Sequence, residues 1–95
     1  GSVKAFRVGS GVMVWENNQL LRRKLTAPEA FSVYIAVADE EDGYLHLLDS
    51  DNGTFIARKK VDGAGVRSPM ISKDGLLYVY SNDGKLVAYT VKDLN

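Results

Sequence analysis

Cysteine is absent from this 95-residue sequence, which excludes disulfides, thiolate catalysis and cysteine-rich zinc sites. Histidine occurs once, at His46, and tryptophan once, at Trp15. A single imidazole with no partners at a set spacing is a poor member of a metal site or a catalytic triad. Neither sign of charge is in excess, since 12 basic residues balance 12 acidic ones. That balance argues against nucleic acid as the main partner, because such binding leans on a cationic footprint. No apolar run approaches the roughly 20 residues a membrane-spanning helix needs. Gly-x-Ser-x-Gly, P-loop and dinucleotide fingerprints are all missing. No signal peptide is visible, and Gly1-Ser2 reads as a scar of tag removal. The chain is therefore expected to be a piece of a longer protein, with any targeting segment or lipid anchor lying outside it.

What is present is a succession of turns and short strands. Asp42-Gly43 and Asn52-Gly53 are turn dipeptides that tolerate the positive φ of tight hairpins. Between them residues 44–48 (Tyr-Leu-His-Leu-Leu) have the length and content of a strand. Residues 3–8 and 12–15 predict two further strands around Gly9-Ser10-Gly11, with Val3, Ala5 and Phe6 as candidate core residues. Residues 16–23 read as a connection, and Pro28 stops any helix there. Residues 31–38 (Phe-Ser-Val-Tyr-Ile-Ala-Val-Ala) predict one buried strand. Residues 54–61 follow, with Phe55 and Ala57 alternating against Ile56 and Arg58. After a flexible Asp62-Gly63-Ala64-Gly65 loop come strands at 69–72, 76–80 and 85–91, turned at Asp74-Gly75 and Asp83-Gly84. Residues 92–95 are expected to fray.

These elements repeat. Pro28 and Pro69 are 41 residues apart, as are Asp42 and Asp83, Gly43 and Gly84, and Leu45 and Leu86. Near the start, Val3-x-Ala5-x-x-Val8 matches Leu86-x-Ala88-x-x-Val91, and Gly11-x-x-Val14 matches Gly53-x-x-Ile56. A period of about 40 residues holding four short strands is the size of one β-propeller blade. The fold class is thus all-β: a partial β-propeller of about two four-stranded antiparallel blades. Residues 3–15 end one blade, 28–61 form a full blade, and 69–91 supply the first three strands of another.

The repeat resembles the pyrroloquinoline-quinone-type pattern Ala-x-Asp-x-x-x-Gly-x-x-x-Trp. Ala5, Gly11 and Trp15 fit, while Arg7 stands where Asp is usual. The next copy keeps Asp49 and Gly53, with Leu47 and Ala57 in place of Ala and Trp. Leu25-Thr26-x-Pro28, Gly43-Tyr44-Leu45, Phe55-Ile56-Ala57 and Lys60-Val61-Asp62 then sharpen the likeness. In that order they are similar to the C-terminal end of the BamB family, propeller lipoproteins of the bacterial outer-membrane β-barrel assembly machinery. Leu47 departs from the aromatic residue expected there. The resemblance implies a non-catalytic, protein-binding scaffold without cofactor, in the periplasm and lipid-anchored to the outer membrane through the parent protein. Its implied partner is the periplasmic part of the barrel-inserting subunit, and no partner-binding residue carries over position by position.

Candidate sites have plain structural readings beside the functional ones. His46 is expected to be a structural or solvent-exposed histidine. Asp39-Glu40-Glu41-Asp42 and Asp49-x-Asp51 invite calcium, yet neither supplies the glycine and distant glutamate of an EF-hand loop; a solvated acidic turn, or a rim contact for a partner, fits better. Arg22-Arg23-Lys24 and Arg58-Lys59-Lys60 read as charges that guard outer strands against edge-to-edge pairing. Trp15 is expected to pack between neighbouring blades, not at an interface. Asn52-Gly53-Thr54 is formally a glycosylation sequon, but the turn alone explains it. No catalytic, cofactor or metal residue is assigned, and no enzymatic activity is expected. The alternatives are a piece of a quinone-dependent dehydrogenase propeller, or a generic propeller adaptor. Because about two blades leave two apolar faces uncovered, copies are expected to associate as a homo-oligomer, exchanging the hairpin 3–15 with symmetry.

Overall fold

Leu45 and Leu47 point to one side of their strand while His46 and Leu48 point to the other, and both sides are buried. A strand covered on two faces needs a neighbouring layer on each, and the architecture supplies both. The structure is a computed structural model, and it describes residues 2–20, 24–40, 43–61, 65–66 and 68–94. In chain order the elements are β1 (Val3–Phe6), β2 (Met13–Asn17), β3 (Glu29–Phe31), β4 (Tyr34–Ala38), β5 (Tyr44–Asp49), β6 (Phe55–Lys60), β7 (Ile71–Lys73), β8 (Leu76–Tyr80), β9 (Leu86–Tyr89) and α1 (Val91–Leu94). They form antiparallel sheets of two, four and three strands, ordered β1-β2, β3-β4-β5-β6 and β7-β8-β9.

The four-stranded sheet lies between the other two. On one face Phe31, Ala36, Ala38, Leu45, Leu47 and Val61 meet Met70, just before β7, and Leu77, Val79 and Tyr89 of the three-stranded sheet. On the other, Val37 and Leu48 meet Val3 and Trp15 of the hairpin, with Ala5, Ile35 and Phe55 half-buried around them. Each fully buried Leu, Val or Phe contributes about 1.5–3 kcal/mol, so these two layers hold the stack together. Polar bonds add alignment between sheets. Glu29 Oε2 on β3 accepts from the Ser72 N–H on β7 at 2.8 Å. Trp15 Nε1–H donates to the Ser50 carbonyl at 2.9 Å, and Asn17 Nδ2 to the Gly53 carbonyl at 2.7 Å.

The predicted buried strand over 31–38 is two strands. Phe31 pairs with Tyr34 around a two-residue turn, in which Ser32 takes a φ of 58°. Val33 at the turn is 65 % exposed. Ser32 favours turns only weakly and has no Gly, Asn or Asp beside it, so the apolar content of the segment concealed the turn. The alternation expected along β6 is also broken. Leu48 faces Phe55 and Leu47 faces Ala57, with a bulge between. Phe55 and Ala57 therefore pack into opposite layers, not one. Phe6 is 57 % exposed and not a core residue, because alternation along β1 sends Val3 and Ala5 inward and Lys4 and Phe6 outward. Residues 92–94 do not fray: α1 carries Leu94 into the core beside Val61. Gly43 and Gly84 have φ of 73° and 89°, as their equivalent hairpin positions require.

Candidate functional site

The side of β5 and β6 that faces the β1-β2 hairpin holds the chain's one histidine, beside an open recess. Tyr44, His46 and Leu48 share this face with Phe55, Arg58 and Lys60, because His46 pairs with Arg58 and Tyr44 with Lys60 across the ladder. Gln19 and Leu20, just past β2, close one wall, and His46, Phe55, Ile56 and Arg58 form the others around about 410 Å³. Leu20 is buried and Gln19 exposed.

His46 is buried, its side chain only 1 % exposed, and its Nε2 lies 3.3 Å from Asp39 Oδ2. The contact calls for the tautomer with its proton on Nε2, donating to the carboxylate. Asp39 reaches the ring because its N–H donates to the Tyr44 carbonyl at 2.8 Å, closing the β4-β5 hairpin. Tyr44 and Phe55 flank the imidazole, with centroids 6.4 and 5.8 Å away. The pair is thus packed between strands and aromatic rings. A hydrogen-bonded pair in such a place holds the hairpin in register, since leaving either partner alone would be costly.

Three cations on β6 are held by aromatic rings. The Arg58 guanidinium sits 4.7 Å from the Tyr44 centroid, and Lys60 Nζ 5.6 Å from the same ring. Lys59 turns to the opposite face, 5.5 Å from Tyr89, and its Nζ donates to the Asp93 carbonyl at 3.2 Å. Cation–π contacts at exposed sites are worth about 0.5–1 kcal/mol each.

The residues singled out from sequence fall as follows. Trp15 is buried between sheets as expected. His46 is buried against Asp39 and not solvent-exposed, and Asp39 is not the solvated residue expected of an acidic turn, being 2 % exposed. Glu41, Asp42, Arg22 and Arg23 lie outside the described residues, as do residues 62–64 of the loop. Asp49 Oδ1 accepts from the Asp51 N–H at 2.7 Å. No group of three or more potential metal ligands occurs among the described residues. Asn52 Oδ1 accepts from Thr54 N and Oγ1 at 3.0 and 2.8 Å, so the sequon residues serve the turn. Tyr44 as a platform for two cations, and the recess beside it, were not apparent from the sequence.

No family model matches the chain. Individual relatives do. The outer membrane protein assembly factor BamB of Pseudomonas aeruginosa is 42 % identical over 92 residues, 97 % of this chain. That of Escherichia coli is 35 % identical over 88 residues. The crystal structure of BamB from Moraxella catarrhalis superposes on 95 % of the chain with a TM-score of 0.85 and 36 % identity. The chain is homologous to the C-terminal part of BamB. It spans about a quarter of these relatives, 24 % of the Pseudomonas protein and 26 % of the Moraxella chain. The stacked sheets of two, four and three strands are accordingly consecutive propeller blades. In BamB terms, the buried His46–Asp39 pair and Trp15 lie at or beside the contact between one blade and the next.

Proposed function

We propose that this chain is part of a non-catalytic scaffold that binds proteins during outer-membrane protein assembly. Homology to a factor of that name along nearly the whole chain carries the reading. The way side chains are used agrees with it, since His46, Asp39 and Trp15 are absorbed in packing between strands and blades. The parent protein would work in the periplasm, lipid-anchored to the outer membrane, against the periplasmic domains of the barrel-inserting subunit. Within it, residues 3–15 end one blade, 28–61 form a full one, and 69–91 begin the next. Separated from the parent, the chain would self-associate through its apolar outer faces. The test is a chimera in which residues 3–94 replace the matching stretch of a full-length BamB. Retention of the chimera by the immobilised periplasmic domains, with barrel-protein assembly maintained in a strain lacking its own copy, is the expected result. A folded chimera that neither binds nor restores assembly would refute the proposal.

A further inference from the structure

Along the outer strand β6, a recess with Phe55, Ile56 and Leu20 among its walls, a bulge and two ring-supported cations follow one another within a few residues. β6 is the last strand of its sheet, so one of its edges faces away from the ladder. The bulge at Ile56 turns Phe55 toward the recess, where Leu20 forms another apolar wall. Immediately beyond, Arg58 and Lys60 stand on the same face, both against Tyr44. Neither forms an ion pair with a carboxylate among the described residues. Lys59, between them in sequence, is already engaged on the opposite face with Tyr89 and Asp93.

We propose that this edge of β6 docks an acidic segment of another protein in extended form, with one apolar side chain in the recess and carboxylates against Arg58 and Lys60. The strand edge offers main-chain hydrogen bonds, the usual source of affinity when a peptide adds to a sheet. The recess selects an apolar anchor, and the cations select its neighbours. Charges on an edge strand oppose pairing with neutral or basic strands, and the same charges favour an acidic one. The chain's balanced net charge makes this a local feature and not a general affinity for anions. The site stands on geometry in this chain alone and does not depend on the role of the parent protein.

The test uses the chain as it is, with two labelled hexapeptides, Phe-Thr-Glu-Val-Glu-Asp and its reverse, read by fluorescence anisotropy. Controls replace the Phe by Ala, or the three acids by Lys. At least one acidic peptide should bind in the micromolar range and weaken as salt rises. Arg58→Glu combined with Lys60→Glu should weaken it roughly tenfold or more. Gln19→Trp, which fills the recess from an exposed position, should weaken it without changing the thermal midpoint. The Ala control should lose affinity and the Lys control should not bind. Absence of binding by both acidic peptides at millimolar concentration would overturn the proposal. So would binding indifferent to both variants, or a single-stranded oligonucleotide that binds more tightly than either peptide.

Discussion

Gly53 has no side chain because Trp15 of the preceding blade fills the space where one would stand. A Cβ built there would lie 2.2 Å from Trp15 Cε3, and the backbone φ is +75°. Two hydrogen bonds fix this joint, from Trp15 to Ser50 and from Asn17 to the Gly53 carbonyl itself. Gly53→Ala is therefore expected to cost on the order of 2–4 kcal/mol, combining backbone strain with displacement of a buried ring. Urea unfolding followed by Trp15 fluorescence reads it directly, and an unchanged midpoint would show that the ring is not seated on this turn. The Asp83-Gly84 turn carries a pH dependence instead. Ser81 Oγ donates to the Asp83 carboxylate, and this bond above all, aided by nearby Lys85, holds Asp83 below the usual carboxylate range. A folded pKa below the unfolded one gives stability that is present above the unfolded value and lost as pH falls through the folded one. The acid limb of thermal stability, below about pH 4, should flatten in Asp83→Asn. An identical limb in wild type and variant would assign that loss to other carboxylates.

At the scale of the element, two hairpin turns of two residues each differ in how well the sequence announces them. Lys73 pairs with Leu76 around Asp74-Gly75, and Phe31 with Tyr34 around Ser32-Val33. Asp74-Gly75 is legible because glycine adopts positive φ without strain. Ser32 adopts a φ of 58° with a Cβ in place, and its neighbours Phe31 and Tyr34 belong to a strand-like apolar run, so the turn disappears into the pattern. Ser32→Gly should relieve the left-handed strain and stabilise the chain by roughly 0.5–1 kcal/mol net of the entropy glycine adds to the unfolded state. A lowered thermal midpoint would mean that Ser32 is held there at no cost. Similar reasons govern the site. The strand over 44–48 was readable, and so was the position of Trp15 between blades. The Asp39–His46 contact was not, because an acidic run before Asp-Gly has the composition of a solvated turn. Only closure of the β4-β5 hairpin returns Asp39 to the strand. The bulge in β6, which separates Phe55 from Ala57, has no residue signature in this sequence either.

At the scale of the whole molecule, the central blade is covered on both faces and the outer blades each on one. Val3 and Trp15 turn inward from the first hairpin, while Phe6, Met13 and Val14 remain exposed on it. At the other end Leu77 and Val79 turn inward, while Ile71 at 60 % and Leu86 at 66 % exposure face outward with Tyr80. Propeller blades gain stability from contact with their neighbours, so uncovered apolar faces at both ends favour association. The two faces differ in strand number and in residues, so direct stacking of one on the other is heterologous and does not close after two copies unless the geometry turns back. Exchange of the β1-β2 hairpin between two copies would close with symmetry, because each donates what it accepts. In either arrangement light scattering behind a sizing column should give a mass above the 10.4 kDa of one chain. Ile71→Lys together with Leu86→Lys, both at exposed positions, should shift a stacked assembly toward the monomer with little change in far-ultraviolet circular dichroism. A hairpin-exchanged dimer would keep its mass in that variant, since β1 and β2 are untouched. Wild-type protein that stays at the mass of one chain at high concentration would show that these faces do not bring copies together.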